Sequence, residues 1–418
     1  MSVMRNSNSI RTNMMHLLSA EMITKLILFV VTVTISRYLG VEGFGVFSFA
    51  ISFAMVFGFI VDWGFTPLSV REIARDKSVV PKLIGNIMTL KIMLSGLMAV
   101  VVVGASNFLG KTPELCSLIV LAALYIIFDS FNGLLRGVFQ AFGQMQYDAL
   151  MRVAEKAFLL LAILFIIYHG GRMYAMMAAH AAAAFLIMLI TIAFIGKRYG
   201  YFRIEYDHRY CSTILKEGMA FVFTAAFVVM YFKIDSVMLS LMKGDDAVGY
   251  YTAAYNIIIA FMVFPAIMAK VIYPSLSKDY FRSQEAYRGL LKKTLLFAVL
   301  LGAASVVGVC LFARSIILLL YGAAFVGAVG PLRILSLTFL LICITTVAGT
   351  ALNAGNKQKA LALTTGAGVV INVVFNALLI PPYGTNGAAA ATCLTQVFYA
   401  LVLFSVLFNK NIRQGARA

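Results

Sequence analysis

Ionisable side chains inside long apolar segments are the residues of this sequence best suited to chemistry. More basic than acidic groups lie there: Lys25, Lys91, Arg136, Lys156, Lys233, Lys270 and Arg333, against Glu21, Asp62, Asp129, Glu155 and Asp235. A charge that faces lipid at the bilayer centre costs about 2.5–3.5 kcal/mol. Most of these groups must therefore face a water-filled cavity or pair with one another.

Some of these charges have a local explanation. Glu21 and Lys25 are four residues apart, so they can pair on one helix face. Lys233 and Asp235 can each bridge to another helix. Lys91, Lys156 and Lys270 lie near the ends of apolar runs, where a lysine can snorkel to the headgroups or pair.

The remaining basic residues are spread across the depth of the predicted membrane segments, from Arg136 on the cytoplasmic side to Arg333 on the outer side. Arg and Lys are suited to binding phosphate, whereas a cation exporter would need net negative charge. Movement of a pyrophosphate headgroup would require such a series of cations. We predict substrate contacts at Lys25, Arg136, Lys233 and Arg333, with Asp62 and Asp235 holding these cations or accepting protons.

No sequence motif for catalysis, nucleotide binding or metal binding is present. The chain has no GxSxG, P-loop, HExxH or dinucleotide fingerprint, so ATP bound to this chain does not drive transport. Its 5 cysteines and 4 histidines are scattered, without metal-ligand spacing. The sequence predicts neither an enzyme nor a cofactor or metal site.

The composition is that of a membrane protein, with 62% hydrophobic and 12% charged residues. Lys and Arg number 34 against 17 Asp and Glu, an excess that would suggest nucleic acid in a soluble protein. Here the excess lies mostly in short loops, where it reports topology instead. We predict that both termini are cytoplasmic, that membrane lipids are partners and that nucleic acid is not.

About twelve apolar runs are long enough to cross a bilayer as helices, which need roughly 20 residues each. They lie near 15–39, 43–66, 83–109, 114–141, 150–168, 173–195, 213–242, 246–275, 289–312, 328–353, 359–380 and 384–408. The sequence therefore predicts an all-α polytopic membrane protein.

A duplicated motif organises these spans into two halves. Residues 40–50 and 244–254 share the pattern Gly-x-acid-small-x-Gly-x-aromatic-hydroxyl-x-Ala, and 137–146 is echoed by 349–358. The repeat predicts a six-helix lobe at 1–196, a cytoplasmic linker at 197–212 and a second six-helix lobe at 213–418. Because six is an even number, the two lobes should be parallel, with the substrate path between them.

Several short motifs, in this order, resemble those of the polysaccharide transporter family, the O-antigen (Wzx-type) flippases of the multidrug/oligosaccharidyl-lipid/polysaccharide exporter superfamily. They are residues 36–40 with 43–45, 62–65 with 71–74, Asp235 with 248–251, 273–277, 333–336, 352–355, Asn372, Asn376 and 382–389. The likeness spans essentially the whole chain, although it does not identify a sugar.

The resemblance implies a MATE-like, V-shaped pair of six-helix bundles in the bacterial inner membrane. It implies alternating access that carries undecaprenyl-pyrophosphate-linked oligosaccharide, such as an O-antigen repeat unit, from the cytoplasmic to the periplasmic leaflet. A monomer that works beside a polysaccharide polymerase and chain-length machinery is the corresponding expectation. Lipid II flippases usually carry two extra spans, for which this chain has no room.

Three other functions compete with this interpretation. A multidrug or cation exporter of the same superfamily would hold mainly acidic residues in its cavity. A membrane polysaccharide polymerase or ligase would need a sizeable extracytoplasmic loop, and the longest predicted one, near Arg314, is short. A scaffold without transport would have little reason to keep so many charges within the membrane.

Overall fold

The computed structural model describes residues 2–110, 112–200 and 203–408, without the side chains of 2–18, 220, 223, 224 and 359. Every regular element in these ranges is helical. Residues 201 and 202 of the predicted linker and 409–418 of the predicted second lobe lie outside the described residues.

Thirteen α-helices follow one another along the described chain. The first seven are α1 (Ser2–Phe57), α2 (Phe59–Asp62), α3 (Phe65–Arg75), α4 (Val80–Phe108), α5 (Pro113–Ala141), α6 (Met145–Tyr168) and α7 (Met173–Tyr199). The others are α8 (His208–Lys243), α9 (Asp245–Phe261), α10 (Val263–Arg282), α11 (Gln284–Leu320), α12 (Val329–Ala354) and α13 (Gln358–Phe408). Short 3₁₀ turns cover Lys77–Val79 and Ala323–Ala328.

The helices account for the predicted membrane crossings. Among the described residues, 9 helical segments are long and apolar enough to span a membrane. Two of them, Ser19–Arg75 with 57 residues and Ala360–Phe408 with 49, can each hold two crossings. The remaining predicted crossing is α6, whose charged side chains keep it out of those segments. The prediction of an all-α polytopic fold is confirmed.

The two copies of the repeated motif have the same backbone conformation at their first residue. Gly40 has φ 70 and ψ −174, and Gly244 has φ 86 and ψ 178. Residues other than glycine rarely adopt such positive φ angles, because their Cβ atoms clash with the backbone. In each copy the glycine turns the chain from one long helix into the next.

The helices pack into two compact units. The first contains Met1–Leu39 and Phe49–Val229, and the second contains Gly40–Ser48 and Met230–Ala418. In the first unit, α5 packs against α3, α4 and α7. In the second unit, α12 lies in the middle and packs against α9, α10, α11 and α13. The division falls within α8, downstream of the predicted linker.

Residues 205–207, just before α8, are hydrogen-bonded to α4 in the first unit. Asn86 of α4, which is fully buried, accepts the backbone N–H of Asp207 at 2.7 Å and donates to Glu205 Oε1 at 3.0 Å. Lys82 Nζ lies 3.0 Å from Asp207 Oδ2. The backbone N–H of Tyr210 and the Lys82 ammonium lower the pKa of Asp207. These contacts explain why the beginning of α8 belongs to the first unit.

The repeated motifs meet within the second unit at their central glycines. A Cβ atom on Gly45 would lie 1.8 Å from the carbonyl oxygen of Asp245, and one on Gly249 would lie 2.3 Å from that of Val41. Beside this contact, the Phe44 ring packs edge-on to Phe325 at 6.2 Å. The backbones of the two motifs are therefore in direct contact at Gly45 and Gly249, and a residue larger than glycine would not fit there.

We expect Gly45→Ala to destabilise the protein by about 1–3 kcal/mol, because the added methyl overpacks this contact. Thermal unfolding of the purified protein in detergent measures the change. Gly308→Ala is the matched control in α11, since its Cβ atom would meet nothing within 4 Å. If Gly45→Ala is as stable as Gly308→Ala, the close packing of the two motifs is wrong.

Candidate functional site

The six predicted substrate contacts divide between the two units. Lys25, Asp62 and Arg136 belong to the first unit, and Lys233, Asp235 and Arg333 belong to the second. Within each unit, the described residues show no hydrogen bond or ion pair between any two of these six. Their common function as one substrate path therefore remains a prediction.

Arg136 of α5 is the most heavily neutralised of the predicted cations. Its guanidinium nitrogens lie 3.2 Å from Glu155, 3.8 Å from Asp148 and 3.9 Å from Asp129, and its side chain is only 10% exposed. Lys156 also pairs with Glu155, at 2.5 Å. A phosphate would have to compete with these carboxylates, so Arg136 is less available to substrate than its sequence position suggested.

Lys25 of α1 is paired within its own helix, as its spacing predicted. Its Nζ lies 3.4 Å from Glu21 Oε1, and both side chains are 33% exposed. A partly exposed pair of this kind is held weakly. Lys25 can exchange this partner for an anionic ligand at little cost.

Asp62 lies where the second predicted span is broken. The short helix α2 ends at Asp62, and Trp63 and Gly64 follow in the left-handed conformation, with φ 40 and 69. The Asp62 carboxylate is 37% exposed and lies 3.9 Å from Lys91 Nζ. Within the first unit, Asp62 therefore pairs with neither Lys25 nor Arg136; its basic neighbour is Lys91.

Asp235 of α8 is fully buried in a network of neutral donors. Tyr251 and Thr392 donate to Oδ2 at 2.6 and 2.7 Å, and Asn376 donates to Oδ1 at 2.6 Å. The prediction that Asp235 holds a substrate cation is not matched by these contacts, because each neighbour is an uncharged hydroxyl or amide. Being buried, Asp235 is better placed to accept a proton than to touch substrate.

The network around Asp235 has spare hydrogen-bonding capacity. The single hydroxyl proton of Thr392 can point to Asp235 or to the carbonyl of Ala388, 3.0 Å away. The Oδ1 atom of Asn376 is buried without a partner among the described residues. The oxygens of this cluster are of the type that also suits a hard cation. The network can therefore rearrange when a proton or cation is added.

Lys233 and Arg333 differ from the other predicted substrate cations, because within the second unit neither side chain makes a hydrogen bond or ion pair with a described residue. Lys233 is half-buried in α8, and Arg333 is exposed near the beginning of α12. Lys233 lies two residues before Asp235, about 200° away around a helix of 3.6 residues per turn. Its ammonium therefore lies on a different side of α8 from the buried carboxylate, and it is free to bind an anion.

Several polar residues of these networks had no predicted role in the sequence. Lys91 was expected to snorkel or pair; its side chain is completely buried and its Nζ lies 3.9 Å from Asp62, so it pairs and does not snorkel. Asn372 and Asn376 appeared only as members of a family motif. The two asparagines are four residues apart and therefore lie on one helix face. This spacing was the sequence signal from which a polar cluster around Asp235 could have been predicted.

Comparison with known protein families and curated proteins gives consistent matches. A family model described as "Polysaccharide biosynthesis protein" matches residues 10–279, more than half of the chain. The "Probable low-salt glycan biosynthesis flippase Agl15" of Haloferax volcanii is 26% identical over 166 residues, 40% of this chain. The chain spans only 35% of the length of that relative. The "Putative O-antigen transporter" of Shigella flexneri is 24% identical over 389 residues, covering 88% of this chain and 90% of the relative.

Solved structures share the fold at low sequence identity. A "Lipid II flippase MurJ, inward closed conformation" superposes with a TM-score of 0.71 at 18% identity, covering 94% of this chain and 88% of that one. An inward-facing multidrug resistance MATE transporter of the MOP superfamily superposes with a TM-score of 0.70 at 17% identity, covering 94% of this chain and 96% of that one. The MATE-like fold expected from the sequence is confirmed.

Proposed function

Since the chain belongs to the polysaccharide biosynthesis protein family, we propose that it is a flippase for lipid-linked oligosaccharide. Its substrate is undecaprenyl-pyrophosphate carrying a surface-polysaccharide repeat unit. It moves this lipid by alternating access from the cytoplasmic to the periplasmic leaflet of the bacterial inner membrane. It is a multi-pass membrane protein with both termini in the cytoplasm, and it acts as a monomer that supplies a polysaccharide polymerase and its chain-length machinery.

The unpartnered cations of the second unit are the observation that carries this proposal. A lysine ammonium without a counter-ion in an apolar helix costs free energy, which a ligand can offset. Within the second unit, the side chains of Lys233 and Arg333 have no hydrogen-bonding or ionic partner among the described residues. A pyrophosphate offers several acceptor oxygens. Arg binds such groups through two parallel hydrogen bonds, and Lys binds them as a point charge.

The state of the acidic residues argues against a cation exporter. Asp129, Asp148 and Glu155 surround Arg136, and Asp235 accepts hydrogen bonds from neutral groups. These four acidic groups therefore have partners, while the Lys233 and Arg333 side chains have none among the described residues of the second unit. A cavity for a cationic drug would need the opposite distribution of charge.

The Asp235 network is the proposed site of energy coupling. Its carboxylate is buried beside hydroxyls that can reverse their hydrogen bonds, so it can bind a proton without contact with substrate. Asp62, which is partly exposed, is the second proposed proton acceptor. Lys25 and Arg136 remain proposed substrate contacts, with Arg136 released from its carboxylates in another state of the cycle.

The proposal is tested in cells that lack their own flippase for a surface polysaccharide. With this chain expressed, surface polysaccharide should return and the lipid-linked precursor should no longer accumulate on the cytoplasmic side. Efflux of ethidium from the same cells serves as the control for drug export. If the precursor stays on the cytoplasmic side while ethidium efflux rises, the chain is a multidrug exporter instead.

A further inference from the structure

Lys91 of α4 is a fully buried lysine that the proposed transport pathway does not use. Its Nζ donates to Ser130 Oγ at 2.6 Å and to the carbonyl oxygen of Val61 at 3.1 Å. The ring centroids of Phe65 and Phe131 lie 5.7 and 5.5 Å from this nitrogen. These contacts fix the Lys91 side chain within the core of the first unit.

The carbonyl that Lys91 binds belongs to the break in the second predicted span. In a continuous helix, the Val61 carbonyl would accept the N–H of Phe65, four residues later. The left-handed residues Trp63 and Gly64 separate α2 from α3 and prevent this bond. The Lys91 ammonium supplies the donor that this carbonyl would otherwise lack.

The break is held from its other side by α8. The indole nitrogen of Trp63 donates to the Leu215 carbonyl at 3.0 Å. A Cβ atom on Gly218 would lie 2.4 Å from the Trp63 carbonyl oxygen, so the two backbones are in close contact. The left-handed turn is thus fixed by α4 on one side and by α8 on the other. Asp62 is the charged residue of this turn, and its side chain is 37% exposed.

We propose that Lys91 is a positioning residue for transport, which keeps the second span broken at Trp63 and thereby presents Asp62. This inference rests on the proposed function only for its effect on transport. Without the ammonium, the Val61 carbonyl can regain a donor if residues 61–65 become helical. That change would turn residue 62 away from its exposed position.

Lys91→Met keeps the length of the side chain but removes its charge and its donors. Transport in the cell assay should fall about 10- to 100-fold, since a displacement of about 1 Å can cost about 100-fold. Adding Asp62→Asn to Lys91→Met should lower transport no further, because both changes remove the same presented carboxylate. If the double variant instead lowers transport by the product of the two single effects, the inference is contradicted.

A second measurement is independent of substrate. Asp62→Cys is labelled with a membrane-impermeant thiol reagent, with Lys91 intact and with Lys91→Met, and the labelling of the parent protein is subtracted. We expect the rate at position 62 to fall about fivefold or more with Lys91→Met, and to recover partly with Lys91→Gln, which retains a donor. A loss of stability alone would raise the labelling rate and not lower it, because opening of the protein exposes the thiol. An unchanged or higher rate overturns the inference.

Failure of folding does not leave the question open. If Lys91→Met is not obtained as a monodisperse protein, the labelling is repeated with Lys91→Leu, which also lacks a donor for the Val61 carbonyl. An unchanged labelling rate in Lys91→Leu, or in Lys91→Gln if only that variant folds, refutes the positioning role. If no variant or parent transports lipid-linked oligosaccharide while the labelling rates change as expected, the proposed function fails and the positioning role stands.

Discussion

Replacement of Lys233 by Gln is expected to slow oligosaccharide-lipid transport about tenfold to a hundredfold. The reason is the loss of a charge-assisted hydrogen bond to pyrophosphate, worth about 1.5–3 kcal/mol, at about 1.4 kcal/mol per tenfold in rate. Lys233 makes no ion pair with the described residues, so its removal breaks no internal contact of this kind. The measurement is the amount of surface polysaccharide and of lipid-linked precursor, at matched expression level.

Lys292→Gln is the control for this change, since it removes one positive charge from an exposed position of α11. It should export normally. Arg333→Gln should resemble Lys233→Gln, and Arg333→Lys should restore part of the transport because a positive charge remains. Normal export by both Lys233→Gln and Arg333→Gln would show that the free cations do not bind substrate.

Replacement of Asp235 by Ala should destabilise the second unit. It removes the acceptor of Tyr251, Thr392 and Asn376, all buried. The hydroxyl oxygens of Tyr251 and Thr392 are 3.1 Å apart, so these two groups can hydrogen-bond to each other. At least one of the three donors is then left without an acceptor. A loss of about 1–3 kcal/mol for each unpaired donor corresponds to a Tm roughly 1–3 °C lower in a chain of 418 residues.

Asp246→Ala is the matched control, because it removes one negative charge from an exposed position of α9. It should leave the Tm unchanged. Asp235→Asn keeps one acceptor oxygen and should be more stable than Asp235→Ala, yet it should transport poorly if Asp235 takes up a proton. Equal Tm values for Asp235→Ala and Asp246→Ala would mean that the buried network does not exist.

The sequence predicted those features that depend on local patterns. The apolar runs gave the order of the crossing helices, because their length is set by bilayer thickness. The repeated motif identified two equivalent positions, Gly40 and Gly244, which share one backbone conformation. The spacing of four residues predicted the pair between Glu21 and Lys25. Each of these depends on residues that are close in the chain or on a period that can be counted.

Contacts between distant parts of the chain were beyond the reach of such patterns. The acceptor of Lys91 lies 30 residues before it, and Thr392 lies 157 residues after Asp235. Periodicity does not specify which helix faces meet, so the sequence could name these charges without naming their partners. For the same reason, it could not show that Arg136 is surrounded by carboxylates whereas Lys233 is left without one.

The transbilayer movement of undecaprenyl-pyrophosphate oligosaccharide in vesicles that contain the purified chain tests the central claim most directly. The labelled lipid begins in the inner leaflet, and its arrival outside is followed with an enzyme that cannot cross the membrane. The wild-type chain should move the lipid faster than empty vesicles, and Lys233→Gln should be about tenfold slower or more. Movement no faster than in empty vesicles, or equal rates for wild type and Lys233→Gln, would contradict the account.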